Sequence, residues 1–125
     1  MNLVDSCGWL EYFADGPGAG FYAPALEDIE RLLVPTICLY EVFKRVLQQR
    51  GEDSAIEAVA AMQRGKVVAL DESVALTAAR LSHDSKLPMA DAVILATAHI
   101  HEATIWTQDS HFDGIEGVRY RGNGS

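Results

Sequence analysis

Four carboxylates sit where a purely structural role is awkward. Asp5 directly follows the apolar run Leu3-Val4, and Glu41 interrupts Ile37-Cys38-Leu39-Tyr40-Glu41-Val42-Phe43. Asp91 opens Ala92-Val93-Ile94-Leu95-Ala96-Thr97-Ala98, in which Thr97 is the one polar residue, and Asp109 follows Thr104-Ile105-Trp106-Thr107 by two residues. Burying a lone charge is expensive, so each acid must be exposed, paired or held by a cation. Each also has a plain explanation. Asp5 can cap a helix, and Glu41 can pair with Arg45 at i,i+4 for about a few tenths of a kcal/mol. Asp91 can offset a helix macrodipole, and Asp109 can form a turn. Singly, none of these decides. Jointly, four carboxylates in one place would repel and raise each other's pKa unless a divalent cation neutralised them. Magnesium suits such a set, because it takes oxygen ligands, binds one or two carboxylates directly and keeps several waters. An ion so held can activate water and stabilise charge on a phosphodiester.

The elements that must carry these acids follow from hydrophobic patterning. Asn2-Leu3-Val4 reads as a buried first strand, with Ser6 capping a helix that turns Trp9, Leu10 and Phe13 inward. Asp15 to Gly20 reads as loop from its glycines and proline, and Ala25 to Arg31 as a short amphipathic helix. Leu32-Leu33-Val34 is a second strand, and Thr36 caps a long helix that ends at Gly51. Ser54-Ala55-Ile56-Glu57 has the form of a capping box opening the next helix, which stops near Gly65. Lys66 to Leu70 is a third strand, and Asp71 caps a helix to about His83 with Val74, Ala78 and Leu81 inside. Pro88 opens the Asp91 helix, Thr104 to Thr107 is a fourth strand, and Val118-Arg119-Tyr120 forms a fifth. Short apolar strands alternating with longer helices predict an α/β fold of three layers, α/β/α, with a mainly parallel sheet of four to five strands. In open sheets of this kind ligands bind beyond the carboxyl ends of the strands. Asp5 and Asp109 both fall at that edge.

A chain of 125 residues is the length of one domain, 1–125, with 121–125 expected as a frayed tail. No apolar run approaches the ~20 residues of a membrane helix, and Met-Asn-Leu-Val-Asp does not open like a secretory signal. Cys7 and Cys38 form no CxxC pair and read as reduced, packed thiols, consistent with a cytoplasmic protein. The formal net charge of −8 argues against strong non-specific nucleic-acid binding, which depends on Lys and Arg neutralising phosphates. A nucleic-acid substrate would need a local basic rim, a metal or a partner. Lys44, Arg45 and Arg50 share the helix of Glu41 and could touch RNA phosphates, although a solvated helix face is the simpler account of them. His99 and His101 are two apart on a helix and face different ways. His111 lies beside Asp109 and could approach the site, although a place outside it is the simpler reading. Asp113 could substitute for Asp109, and Trp9 and Trp106 read as core.

Val4-Asp5-Ser6, Glu41 within Pro35-Thr36-Ile37-Cys38-Leu39-Tyr40-Glu41-Val42, Leu87-Pro88-Met89-Ala90-Asp91-Ala92 with the apolar run after it, and Thr107-Gln108-Asp109-Ser110-His111-Phe112 together resemble the PIN domain. More narrowly they resemble the VapC-type toxins of toxin–antitoxin pairs. The resemblance implies an endoribonuclease dependent on Mg²⁺ or Mn²⁺ that leaves a 5′-phosphate, with Asp5, Glu41, Asp91 and Asp109 as its metal-binding and catalytic acids. Ser6 and Thr107 match positions whose hydroxyls support those acids. It further implies a homodimer acting on RNA and held inactive by a small antitoxin whose C-terminal segment covers the site. Cys7-Gly8 departs from the small polar or aliphatic residues common there, at positions that are not ligands. The rival readings are a non-catalytic PIN-like scaffold and a receiver-like Mg²⁺-binding module. A receiver needs an acidic pair after the first strand and an acceptor Asp after the third; Asp71 meets the second requirement, but Asp5 stands alone.

Overall fold

The computed structural model describes residues 1–122. Residues 123–125 of the expected tail lie outside the described residues. Five strands form one all-parallel sheet in the order β3-β2-β1-β4-β5, where β1 is Asn2–Val4, β2 Leu32–Pro35, β3 Lys66–Val68, β4 Thr104–Thr107 and β5 Val118–Tyr120. Six helices complete a three-layer α/β/α architecture: α1 Ser6–Phe13, α2 Ala19–Glu27, α3 Thr36–Arg50, α4 Glu52–Met62, α5 Glu72–Ser85 and α6 Met89–His101. The middle strands are apolar because both their faces are covered. Leu3, Val4, Leu33, Val34 and Ile105 are all buried, whereas the edge strands expose Lys66, Val67 and Arg119. The strand order reverses between β1 and β4, and the crevice for a ligand lies at such a reversal. It also differs from the order in which receiver modules wind, so the receiver-like alternative falls. Asp71, its candidate acceptor, instead caps α5 by accepting from the Val74 N–H at 2.9 Å.

Several element ends move from their expected places, each for a local reason. The cap of α1 is Asp5, whose Oδ1 accepts from the Ser6 N–H at 2.7 Å, so Ser6 is the first helical residue. Thr36 likewise starts α3 inside the helix, with Pro35 at the cap, and its Oγ1 accepts from the Leu70 N–H at 3.2 Å. That bond draws Leu70 away from the ladder, and β3 stops at Val68. Gly51, at φ 89°, ends α3 and caps α4 at once. The Ser54–Glu57 pair therefore falls inside α4, where Glu52 and Asp53 already favour the helix start. The second helix begins at Ala19, not Ala25, and continues through Pro24. The carbonyl this proline leaves unpaired belongs to Gly20, which is exposed and can be hydrated.

Helix α6 is the most enclosed of the six, with every residue from Asp91 to Ala98 buried. Thr97 satisfies its hydroxyl within the helix by donating to the Val93 carbonyl at 2.8 Å. At the other side of β1, α1 and α2 meet through Gly8. A Cβ there would lie 2.5 Å from Tyr22 Cε1 and 2.6 Å from Val4 Cγ1. Both neighbours are fully buried and cannot retreat. Gly8→Ala should therefore lose about 1–3 kcal/mol of stability from overpacking, despite alanine's better helix propensity. A urea titration followed by circular dichroism reads this directly; an unchanged midpoint would show that α1 can shift without cost.

Candidate active site

The site is built around the carboxyl ends of β1 and β4. Their register pairs Val4 with Trp106, which sets Asp5 beside Thr107. Thr107 is fully buried, and its single hydroxyl does two jobs. It donates to Asp5 Oδ2 at 2.8 Å and accepts from the Asp109 N–H at 2.9 Å. The strand end thus holds one acid by its carboxylate and a second by its backbone. Asp5 is only 4% exposed, and burial raises its pKa, as does repulsion from Asp109; the bonds from Thr107, the Ser6 N–H and Cys7 act the other way. Cys7 is part of this wall, with Sγ 3.5 Å from Asp5 Oδ2, and burial pushes its thiol up to about 11.

Asp91 enters from the first turn of α6 and is 8% exposed. Burial, then repulsion from Asp109 and Asp5, push its pKa up to about 6 against the partial relief that His111 provides. His111 sits on a single 3₁₀ turn, Ser110–Phe112, which Phe112 anchors in the core. Its Nδ1 lies 2.8 Å from Asp91 Oδ2 and 3.2 Å from Asp109 Oδ1, and its N–H donates to Asp109 Oδ1 at 3.0 Å. Ligand atoms of Asp91, Asp109 and His111 all lie within 4.8 Å of one another. His111 is the residue that sequence reasoning set aside. The available signal was the Asp109-Ser110-His111-Phe112 spacing, in which a large apolar residue in a polar loop marks a pinned turn. Asp113 is exposed and takes no part in this cluster.

Glu41 reaches the same neighbourhood by another route. Its Oε1 accepts from Ser6 Oγ at 2.7 Å, one residue from Asp5. Among the described residues Glu41 forms no ion pair with Arg45, so the expected i,i+4 partner is replaced by a hydroxyl from α1. Ser6, Cys7, Tyr40, Glu41, Lys44 and Arg45 line an open groove on this side. Lys44 and Arg45 are exposed there, and Lys44 Nζ lies 5.8 Å from the centre of the Tyr40 ring. His99 and His101 lie at the far end of α6. Trp9 and Trp106 are both buried, as expected, and Trp106 Nε1 donates to Asn2 Oδ1 at 3.0 Å.

The chemistry of the donors fits a divalent cation. Among the described residues no Lys or Arg pairs with Asp5, Asp91 or Asp109, and His111 is the one group able to carry positive charge that touches them. Buried carboxylates with raised pKa values and so little compensating charge suit a hard cation.

The model of the PIN domain family matches residues 3–118, and the chain belongs to that family. Solved structures share the fold across nearly the whole chain. A toxin–antitoxin complex from Klebsiella pneumoniae superposes with a TM-score of 0.81 at 25% identity, covering 95% of this chain and 96% of that one. VapBC2 from Rickettsia felis, bound to a DNA fragment from its promoter, gives 0.74 at 12% identity over 97% of each chain. Mycobacterium tuberculosis VapC20, a toxin that cleaves the sarcin–ricin loop, gives 0.67 at 15% identity over 83% of this chain and 85% of that one. A sequence search of curated proteins finds no match.

Two predictions follow from the geometry. Thr107→Val removes a donor from Asp5 and an acceptor from the Asp109 N–H while keeping the side-chain shape. It should lower stability by about 1–3 kcal/mol, with Thr107→Ser close to the parent, as read from urea midpoints. The second concerns pH. Because Asp91 rises from 3.8 to about 6, the folded chain holds this proton more tightly than the unfolded chain does. The resulting stabilisation is fully present below about pH 3.8 and is lost as pH rises through about 6. In metal-free buffer Asp91→Asn should gain on the parent by on the order of 1 kcal/mol between pH 4 and pH 7.5. Parallel urea titrations across that range measure the difference, and a constant gap would contradict it.

Proposed function

We propose that this chain is a toxin-type endoribonuclease that depends on Mg²⁺ or Mn²⁺ and is restrained by a small cognate antitoxin. The observation that carries the reading is the meeting of buried Asp5 and Asp91 with Asp109 at the strand-order reversal of a PIN fold. The solved neighbours that are toxin–antitoxin complexes, and the one that cleaves the sarcin–ricin loop, support the biological class.

In this reading Asp5, Asp91 and Asp109 would hold one or two ions, directly or through water, with Glu41 close by. The bound metal would supply a nucleophilic water and stabilise the charge that develops on phosphorus. Glu41 orients or deprotonates the attacking water, and Ser6 holds its carboxylate for that task. Thr107 aims the Asp5 carboxylate and favours its ionised form against the effect of burial. Attack of that water on phosphorus in line with O3′ would form the new P–O bond as P–O3′ breaks, and the proton given up by the water would end on O3′, leaving a 5′-phosphate and a 3′-hydroxyl. Lys44 and Arg45 give the groove beside Glu41 a local basic rim, one of the means by which a chain of net charge −8 can receive RNA. A homodimer is the expected assembly in the cytoplasm.

Asp5→Asn and Asp91→Asn should each lower RNA cleavage by about a hundredfold or more. Both should retain a native circular dichroism spectrum, because asparagine keeps the shape and, at residue 5, the helix cap. EDTA should abolish cleavage by the parent, and added Mg²⁺ or Mn²⁺ should restore it. Full cleavage by either variant, with a clean EDTA control, would overturn the assignment. A parent that binds metal yet cuts no RNA would return the chain to the scaffold reading.

A further inference from the structure

We propose that His111 supplies a nitrogen ligand to the divalent ion of the Asp91–Asp109 cluster, so that the pocket favours Mn²⁺ or another first-row transition ion over Mg²⁺. The inference rests on the metal-site reading above and specifies which ion that site takes.

Three features carry it. First, His111 Nδ1 lies 2.8 Å and 3.2 Å from oxygens of the two aspartates. Adjacent donors around an octahedral ion with bonds of about 2.1 Å are separated by about 3.0 Å, so each carboxylate oxygen already stands at the spacing of a ligand next to this nitrogen. Second, the turn that carries the imidazole is held in place. The His111 backbone N–H is bonded to Asp109 Oδ1, the next residue, Phe112, is fully buried, and the Phe112 N–H donates to the Asp109 carbonyl at 3.0 Å. Third, the carboxylates it touches have no Lys or Arg partner among the described residues, leaving the cluster short of positive charge. Imidazole nitrogen is a poor ligand for Mg²⁺, which demands oxygen, and a good one for transition ions. As a ligand the ring is neutral, with its proton on Nε2.

The same distances also fit an imidazole that merely donates a hydrogen bond to Asp91. The two roles have opposite consequences. A donor competes with the incoming ion, so its removal tightens metal binding, whereas the removal of a ligand weakens it.

Calorimetric titration of the full chain with Mn²⁺ and with Mg²⁺, together with pulsed EPR of the Mn²⁺-loaded protein, separates them. The parent should show nitrogen hyperfine modulation on Mn²⁺. His111→Gln should lose that modulation and bind Mn²⁺ about tenfold or more weakly, with a smaller change for Mg²⁺. His111→Asp should restore binding without the nitrogen signal and shift the preference toward Mg²⁺. His111 is exposed, so His111→Gln should keep a native circular dichroism spectrum without metal, whereas His111→Asp adds a carboxylate beside Asp91 and Asp109 and should lower the metal-free thermal midpoint until an ion is added. Absence of nitrogen coupling in the parent, or unchanged or tighter Mn²⁺ binding by His111→Gln, would overturn the role of His111. Loss of binding in Asp91→Asn under those same conditions would show that the carboxylate site survives that failure. A parent that binds neither ion would overturn both readings.

Discussion

One hydroxyl holds the site together. Thr107 stands at the end of a central strand with no exposed surface, and both capacities of its oxygen are engaged, one toward Asp5 and one toward the backbone of Asp109. The parallel pairing of β1 with β4 decides that these groups meet, because the Val4–Trp106 register leaves the residues after each strand side by side. Everything else attaches to that junction. Asp5 starts α1, α1 presents Ser6 to Glu41, and the turn that begins at Asp109 brings His111 to Asp91.

The arrangement works against the stability of the fold. Asp5 and Asp91 are desolvated and lie near enough to Asp109 for repulsion to raise both. A protein selected for stability alone would place apolar residues there. The surroundings compensate only in part, through Thr107, the Ser6 N–H and His111. What remains uncompensated is the affinity that a cation would meet on entering. Such a pocket trades folding free energy for binding free energy, as functional sites commonly do.

Much of this was legible from residue order. An acid straight after an apolar strand, and another two residues beyond a second strand, place themselves at the same sheet edge once the sheet is taken as parallel. The apolar run behind Asp91 made its burial plain. Two kinds of information were not legible. Helix starts were displaced because capping groups compete: Asp5 displaced Ser6, and Gly51 pre-empted the Ser54 box, differences decided by backbone angles that residue types only bias. Partner choice was the other. Glu41 had a suitable cation four residues along its own helix, yet it bonds to Ser6, because α1 and α3 pack together and the hydroxyl lies closer at hand. His111 was missed for a similar reason, since its approach to Asp91 depends on a turn pinned by Phe112.

Asp5 belongs to two structures at once, the pocket and the start of α1, where its carboxylate caps the Ser6 N–H. Most side chains at residue 5 would remove the helix cap together with the charge, whereas asparagine removes the charge alone and so separates the two roles. Glu41, half-exposed and tied by one hydroxyl, is by contrast the acid whose replacement would disturb the fold least.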